Sequence, residues 1–203
     1  MPTHEFDYSP PLYLLNQESA NIKLEDIERW ENENHINLPA EYRNFLFATN
    51  GGSLRPYLFE LQLNDDEITD TKHGLNYFYP IVSAVEKIEL TEVTIENEVT
   101  NVLKIAKAIS GFEIVLLLDD KNFGKISALS INSAKTSSAG QEVWELIKVS
   151  ESFLDFLSLL KDDSDNSIYH PIWQSPSEAI QERLRKPQKL VVENNKFEII
   201  YTT

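Results

Sequence analysis

The stretch "LPAEYRNFLFATNGG", residues 38–52, constrains the fold of this chain more than any other segment. Pro39 suits the first turn of a helix, where its missing N–H has no partner to lose. Leu38, Tyr42, Phe45, Leu46 and Thr49 follow at i, i+4, i+7, i+8 and i+11, one apolar stripe ending in a polar residue. Asn50 and Gly51 suit the left-handed conformation that closes a helix, and Gly52 lets the chain turn sharply away. The segment therefore reads as a short buried helix with a hard stop. None of its side chains is equipped for chemistry, so its work is structural.

The rest of the chain has to supply the function, and charge narrows the choice. Lys and Arg number 18 against 33 Asp and Glu, for a formal net charge of −15. Nucleic acid and anionic membrane surfaces reward clustered positive charge and are disfavoured as partners. A basic protein partner, drawn in by long-range attraction, is permitted by the same balance, which solubility alone would also explain. The absence of cysteine excludes disulfides, thiolate metal sites and cysteine nucleophiles. No signal peptide or membrane span is visible in the sequence, so a cytoplasmic protein is expected.

Residues 1–18 hold Pro2, Pro10 and Pro11 and read as an irregular arm. "NIKLEDIERWENEN" turns helical, with Leu24, Ile27 and Trp30 on adjacent turns and carboxylates between them. After residue 52, "LRPYLFELQL" reads as extended and "NDDEITDTKHG" as an acidic loop; "YFYPIV" and "KIELTEVTIENE" look β-like. In the last of these Ile88 and Leu90 share one parity and Val93 and Ile95 the other, which predicts a bulge or break. Val99, Val102, Leu103, Ala106 and Ile109 have helical spacing up to a stop at Gly111. "FEIVLLL" predicts a central strand, "DDKNFGK" a turn, "ISALSI" the returning strand and "EVWELIKV" another strand, with a helix as the alternative there. "SESFLDFLSLL" is a helix capped by Ser150 or Ser152. Beyond residue 161, "SPSEAIQERLR" opens like a helix and "KLVVENNKFEIIY" like a hairpin around an Asn-Asn turn. Residues 181–203 carry a net charge of +2, so the acidity belongs to the body of the chain.

Catalytic signatures are missing: there is no G-x-S-x-G, P-loop, G-x-G-x-x-G or H-E-x-x-H. The four histidines are scattered. "ENENH" (31–35) reads as a solvated helix end and Asp119–Asp120 as a loop cap. No metal, cofactor or catalytic residue is assigned.

Three segments together resemble a known family. "IERWENENHINLPAEYRNFLFATNGG" is similar to the amino-terminal signature of the SUKH superfamily, Smi–Knr branch. The residues that carry it are Ile27, Glu31, Leu38, Pro39, Tyr42, Phe45, Leu46, Asn50, Gly51 and Gly52. "LKIAKAISGFEIVLLLDDKNFGKI" resembles the family's middle block, and "SFLDFLSLL" its closing helix. The resemblance implies an α+β fold, a twisted, mostly antiparallel sheet packed with helices. It divides the chain into an arm (1–18), a SUKH-like domain (19–160) and a C-terminal extension of helix plus hairpin (161–203), packed on the domain or tethered to it. It also implies a non-enzymatic protein. Bacterial members often serve as immunity proteins that neutralise toxins, many of them nucleases; fungal relatives act as regulatory and scaffolding proteins.

The expectation that follows is an acidic inhibitor whose carboxylates stand where a basic nuclease-type toxin would hold phosphates. The carboxylate clusters singled out for that role are Asp65, Asp66, Glu67 and Asp70, and then Asp162, Asp163 and Asp165. Tyr77, Tyr79 and Trp173 are the accompanying aromatic candidates. The competing expectation is a regulatory or scaffold module that binds a cellular protein.

Overall fold

The computed structural model describes residues 13–16, 22–55, 57–61, 71–81, 87–95, 98–129, 135–136, 142–143, 146–161, 188–193 and 196–201. From the amino end, β1 (Tyr13–Asn16) precedes two helices, α1 (Leu24–Asn34) and α2 (Ala40–Thr49). Strands β2 (Ser53–Arg55), β3 (Leu58–Leu61), β4 (Thr71–Phe78), β5 (Glu89–Ile95), β6 (Glu98–Ala108), β7 (Glu113–Leu117) and β8 (Ile126–Leu129) follow. The short strands β9 (Lys135–Thr136) and β10 (Glu142–Val143) lead to β11 (Leu146–Ser150), α3 (Phe153–Leu159) and a closing pair, β12 (Gln188–Glu193) and β13 (Lys196–Tyr201).

Three antiparallel sheets result among the described residues, α+β in class: a two-stranded pair of β9 with β10, and two larger ones. The larger runs β11-β8-β7-β6-β4-β3, with β5 also paired to β6; the smaller runs β13-β12-β1-β2. They meet where Gly52 and Phe78 exchange backbone hydrogen bonds of 2.9 and 2.8 Å. β7 lies centrally, and its five residues are all buried, as its continuous apolar run predicts. A strand buried on both faces needs cover on both. Ile114 and Leu116 join the main core, whereas Val115 and Leu117 join a smaller cluster with Val93, Val102 and Leu129.

That two-sided burial corrects two expectations. The segment 99–109 is strand β6, not a helix: Val102 and Leu103 bury into opposite faces, and a register shift between Lys104 and Ala106 gives the apolar positions a spacing that mimics a helical period. β-branched Val99, Thr100, Val102 and Ile105 favour the extended state. The expected break in 88–95 is absent too. β5 pairs with β6 in one unbroken register, Glu89↔Lys104 to Ile95↔Glu98; Ile88, just before it, lies in the main cluster and Val93 in the smaller one. Residues 71–74, read as loop, begin β4, because Leu61 to Leu58 offers them an antiparallel partner, Thr71 to Gly74. Residues 13–16 of the expected irregular arm form β1, between β12 and β2. The expected helix at 175–185 lies outside the described residues. The hairpin is present, and Leu190 belongs to the main core with Phe197 packed against it.

An aromatic group ties helices to sheet. Phe45 of α2 lies 4.9 Å from Phe78, 5.0 Å from Phe153 and 5.5 Å from Phe197 between ring centroids. Phe156 is edge-on to Phe59 at 5.8 Å. α3 is capped twice. Ser152 Oγ accepts from Asp155 N at 3.1 Å, and Glu41 Oε2 accepts from Leu154 N at 3.2 Å. A carboxylate there also complements the positive end of the helix.

Candidate functional site

The signature residues come first, because their geometry decides whether they can touch a partner. Glu31 is buried; its Oε1 accepts from Leu38 N at 2.8 Å and its Oε2 from Arg43 Nε at 3.2 Å. It pins the end of α1 to the turn before α2. Asn50 closes α2 at φ 49, and its Oδ1 accepts from Ile81 N at 3.0 Å. A Cβ at Gly51 would lie 2.6 Å from Phe78 O. Ile27, Leu38, Tyr42, Phe45 and Leu46 are core residues. Pro39 is half-buried beside Gly124, where an added Cβ would lie 3.6 Å from its Cγ. These residues are occupied in holding the fold.

A polar group forms on one face of the larger sheet. Tyr77, Lys107 and Glu113 are opposite one another across β4, β6 and β7, and Glu89 is opposite Lys104 across β5 and β6. Tyr77 and Tyr79 meet edge-on at 5.3 Å, and the Tyr79 hydroxyl donates to Glu113 Oε2 at 2.8 Å. Lys104 Nζ lies 2.9 Å from Glu89 Oε2. Burial, then the hydrogen bond and charge of Glu113, then the charge of Glu89, push the Tyr79 phenol upward. It stays a neutral donor near pH 7, so Tyr79 and Glu113 form a hydrogen-bonded pair rather than a poised acid–base pair. Of the two tyrosines expected to meet a partner, Tyr79 is 6% exposed and Tyr77 half-buried.

The edge strand β3 of the same sheet carries the described flanks of the two acidic clusters. Leu58 of β3 and Lys161 exchange backbone hydrogen bonds of 3.0 and 2.7 Å, and Lys161 Nζ pairs with Glu60 at 2.9 Å. The positions Asp65, Asp66, Glu67, Asp70, Asp162, Asp163, Asp165 and Trp173 lie outside the described residues. Their described flanks are Leu61 and Thr71 for the first cluster and Lys161 for the second. Leu61 lies three residues from Leu58 along β3, about 10 Å at strand rise. Leu61 and Lys161, the described residues that precede the two clusters, therefore lie on or against the same strand.

Two other features bear on chemistry. His73 Nδ1 lies 2.8 Å from Ser110 Oγ, with the ring against Phe59 and Phe112. Burial lowers its pKa, and its Nε2 has no partner among the described residues. No orienting acid holds that nitrogen, as an activated serine–histidine pair needs. Asp119 Oδ1 accepts from Lys121 N, Asn122 N and Asn122 Nδ2, each at 3.1 Å. It is the cap of the β7–β8 turn, as its sequence context implies. Sequence reasoning missed Glu113, Lys107, Glu89 and Lys104, because only strand register brings them to one face.

Among the described residues, no group of His, Asp and Glu is placed to hold a metal ion, and no helix is long and apolar enough to cross a membrane. The chain matches the model of the SMI1 / KNR4 family (SUKH-1) over residues 21–159. No curated protein and no solved structure matches it significantly.

Proposed function

Since the chain belongs to the SMI1 / KNR4 family (SUKH-1), we propose that it is an immunity protein that binds a basic toxin domain and blocks its active site. The family is associated with immunity proteins and is generally non-catalytic, and its members typically bind a partner protein toxin. What supports the finer reading is the net charge of −15, with Leu61 and Lys161, the described residues that precede the two acidic clusters, on or against one strand. A nuclease must present positive charge to phosphates, and carboxylates at Asp65, Asp66, Glu67, Asp70, Asp162, Asp163 and Asp165 take their place. Such charge raises the association rate by about 10- to 10³-fold at low salt. Affinity comes from a few buried anchors. Tyr77, which keeps exposed surface on the polar face, and Trp173 are assigned to that role, with Tyr79 fixing the ring of Tyr77. The protein acts in the cytoplasm, where such a toxin would strike.

The test is co-expression with the product of the gene directly upstream. Growth arrest by that product alone and rescue by this chain are expected. A neighbour that is harmless, or a toxicity that this chain does not relieve, overturns the reading and leaves the regulatory or scaffold role.

A further inference from the structure

Two large apolar side chains stand in water at either end of α2, and nothing in the folding of the chain accounts for them. Phe47, in the last turn, is 51% exposed although the opposite side of the helix is core. Phe123, 48% exposed, occupies the β7–β8 turn whose next residue, Gly124, abuts Pro39 at the start of α2. Pro39 and Phe47 are about 12 Å apart along the helix axis.

The two rings are presented on firmly held backbone. Besides the three bonds to Asp119, the turn is closed by Gly124 N to Leu117 O and Leu117 N to Lys125 O, both 2.9 Å. Lys125 Nζ bonds Asn122 Oδ1 at 3.1 Å and pairs with Glu151. Phe47 lies one helical turn beyond Arg43, which is itself tied to Glu28 and Glu31 of α1 at 3.2 Å each. An apolar ring that is fixed before binding loses little conformational freedom on docking, which is how interface hot spots are built.

The electrostatics beside the strip identify its occupant. α1 carries Glu25, Asp26, Glu28, Glu31 and Glu33 against Arg29 alone, and its last turn has no basic residue. Glu25 and Glu28 are exposed one turn apart. Glu28 is the outer partner of Arg43, so the carboxylate row borders the strip. We propose that the outer face of α2, with Phe47 and Phe123 as anchors and the α1 carboxylates along its side, docks a basic protein surface with two apolar recesses. This rests on the immunity reading above, and names a second surface for the same partner, distinct from the β3 edge.

The experiment measures binding of the upstream gene product to the wild-type chain, to Phe47→Ser and Phe123→Ser, and to Glu25→Gln/Glu28→Gln, by surface plasmon resonance at two salt concentrations. Circular dichroism melts establish that the variants fold; being exposed, both Phe→Ser changes should leave the melt nearly unchanged. Each Phe→Ser variant is expected to weaken binding by roughly 30-fold or more, mostly through faster dissociation. The double Gln variant is expected to slow association and flatten its salt dependence. Wild-type binding that neither Phe→Ser variant weakens overturns this surface while leaving the immunity reading standing. A wild-type chain that does not bind the upstream product overturns the immunity reading, and this surface with it. A wild-type dimer in sedimentation velocity that Phe47→Ser converts to monomer assigns the face to a second copy and overturns the proposal.

Discussion

Alanine at Gly51 is expected to cost far more than alanine at Gly111, although both glycines sit in the left-handed region. Gly51 has φ +84, and a Cβ built there would lie 2.6 Å from Phe78 O, 2.8 Å from Tyr79 C and 2.9 Å from Pro80 N. All three are backbone atoms, so no side chain can rotate out of the way. Two costs add. A side chain in the left-handed region costs about 1–2 kcal/mol. Pushing the end of β4 away from the stop of α2 costs a further 1–3 kcal/mol or so, as overpacking does. The sum is about 2–5 kcal/mol. Gly111 has φ +91 and nothing within 4 Å of its built Cβ, so only the first cost applies. Gly124, at φ +87 with Pro39 at 3.6 Å in ordinary contact, belongs with Gly111. Urea unfolding followed by tryptophan fluorescence should rank the wild type above Gly111→Ala and Gly124→Ala, and both well above Gly51→Ala. A Gly51→Ala variant within about 0.5 kcal/mol of Gly111→Ala, the scatter expected between independent sites, would refute the claim that the Asn-Gly-Gly stop exists to let two backbones touch.

Further outcomes follow from other contacts. Glu31→Ala strands the buried Leu38 N–H and removes the inner partner of Arg43, so thermal melts should show a loss of about 1–3 kcal/mol; Glu31→Gln, which keeps the oxygen facing Leu38, should recover most of it. Burial lowers the pKa of His73 from its ordinary 6.5. The unfolded chain therefore takes up the proton first as pH falls through 6.5, and stability drops until the folded pKa is passed. The wild type should lose more urea stability between about pH 7.5 and about pH 5.5 than His73→Gln; equal losses would dispose of the argument. Phe197 is half-buried against Phe45 and Phe153, and Phe197→Ala should cost about 1.5–2.5 kcal/mol, half the scale of a fully buried ring. An unchanged urea midpoint would mean the C-terminal hairpin contributes nothing to the core.

What could be read in the sequence was whatever local chemistry dictates. The stop of α2, the Ser152 cap, the β7 strand and the Asn-Asn hairpin each follow from a few neighbouring residues whose backbone needs are specific. β6 was misread because its apolar positions serve two cores through a register shift, and a one-dimensional period cannot distinguish that from a helix face. β1 was missed because its partners, β2 and β12, are distant in sequence and its own four residues carry no alternation. The polar face depends on cross-strand register and the Leu58–Lys161 contact on a long-range bridge, neither of which a local pattern encodes. Phe47 and Phe123 were hidden for a different reason. Aromatic residues in a helix and a turn look like core until burial shows which ones face water.

The distribution of burial also bears on where partner choice resides. Apart from half-buried Pro39, the signature residues are buried, and Glu31, Asn50, Gly51 and Gly52 are further committed to backbone contacts that a partner cannot replace without unfolding the α1–α2–β4 junction. Membership of the family therefore specifies a scaffold and says nothing about which surface is bound. The exposed features fall into two physical kinds, and the kinds do different work. Carboxylates such as Glu25 and Glu28 of α1 act at long range, so their neutralisation should appear in association rates and fade as salt rises. Phe47 and Phe123 act only in contact, so their loss should appear in dissociation and persist at high salt. A chain whose partner is chosen by charge alone would lose its preference in concentrated salt. One whose partner is chosen by the α2 anchors would bind more slowly there and still choose correctly.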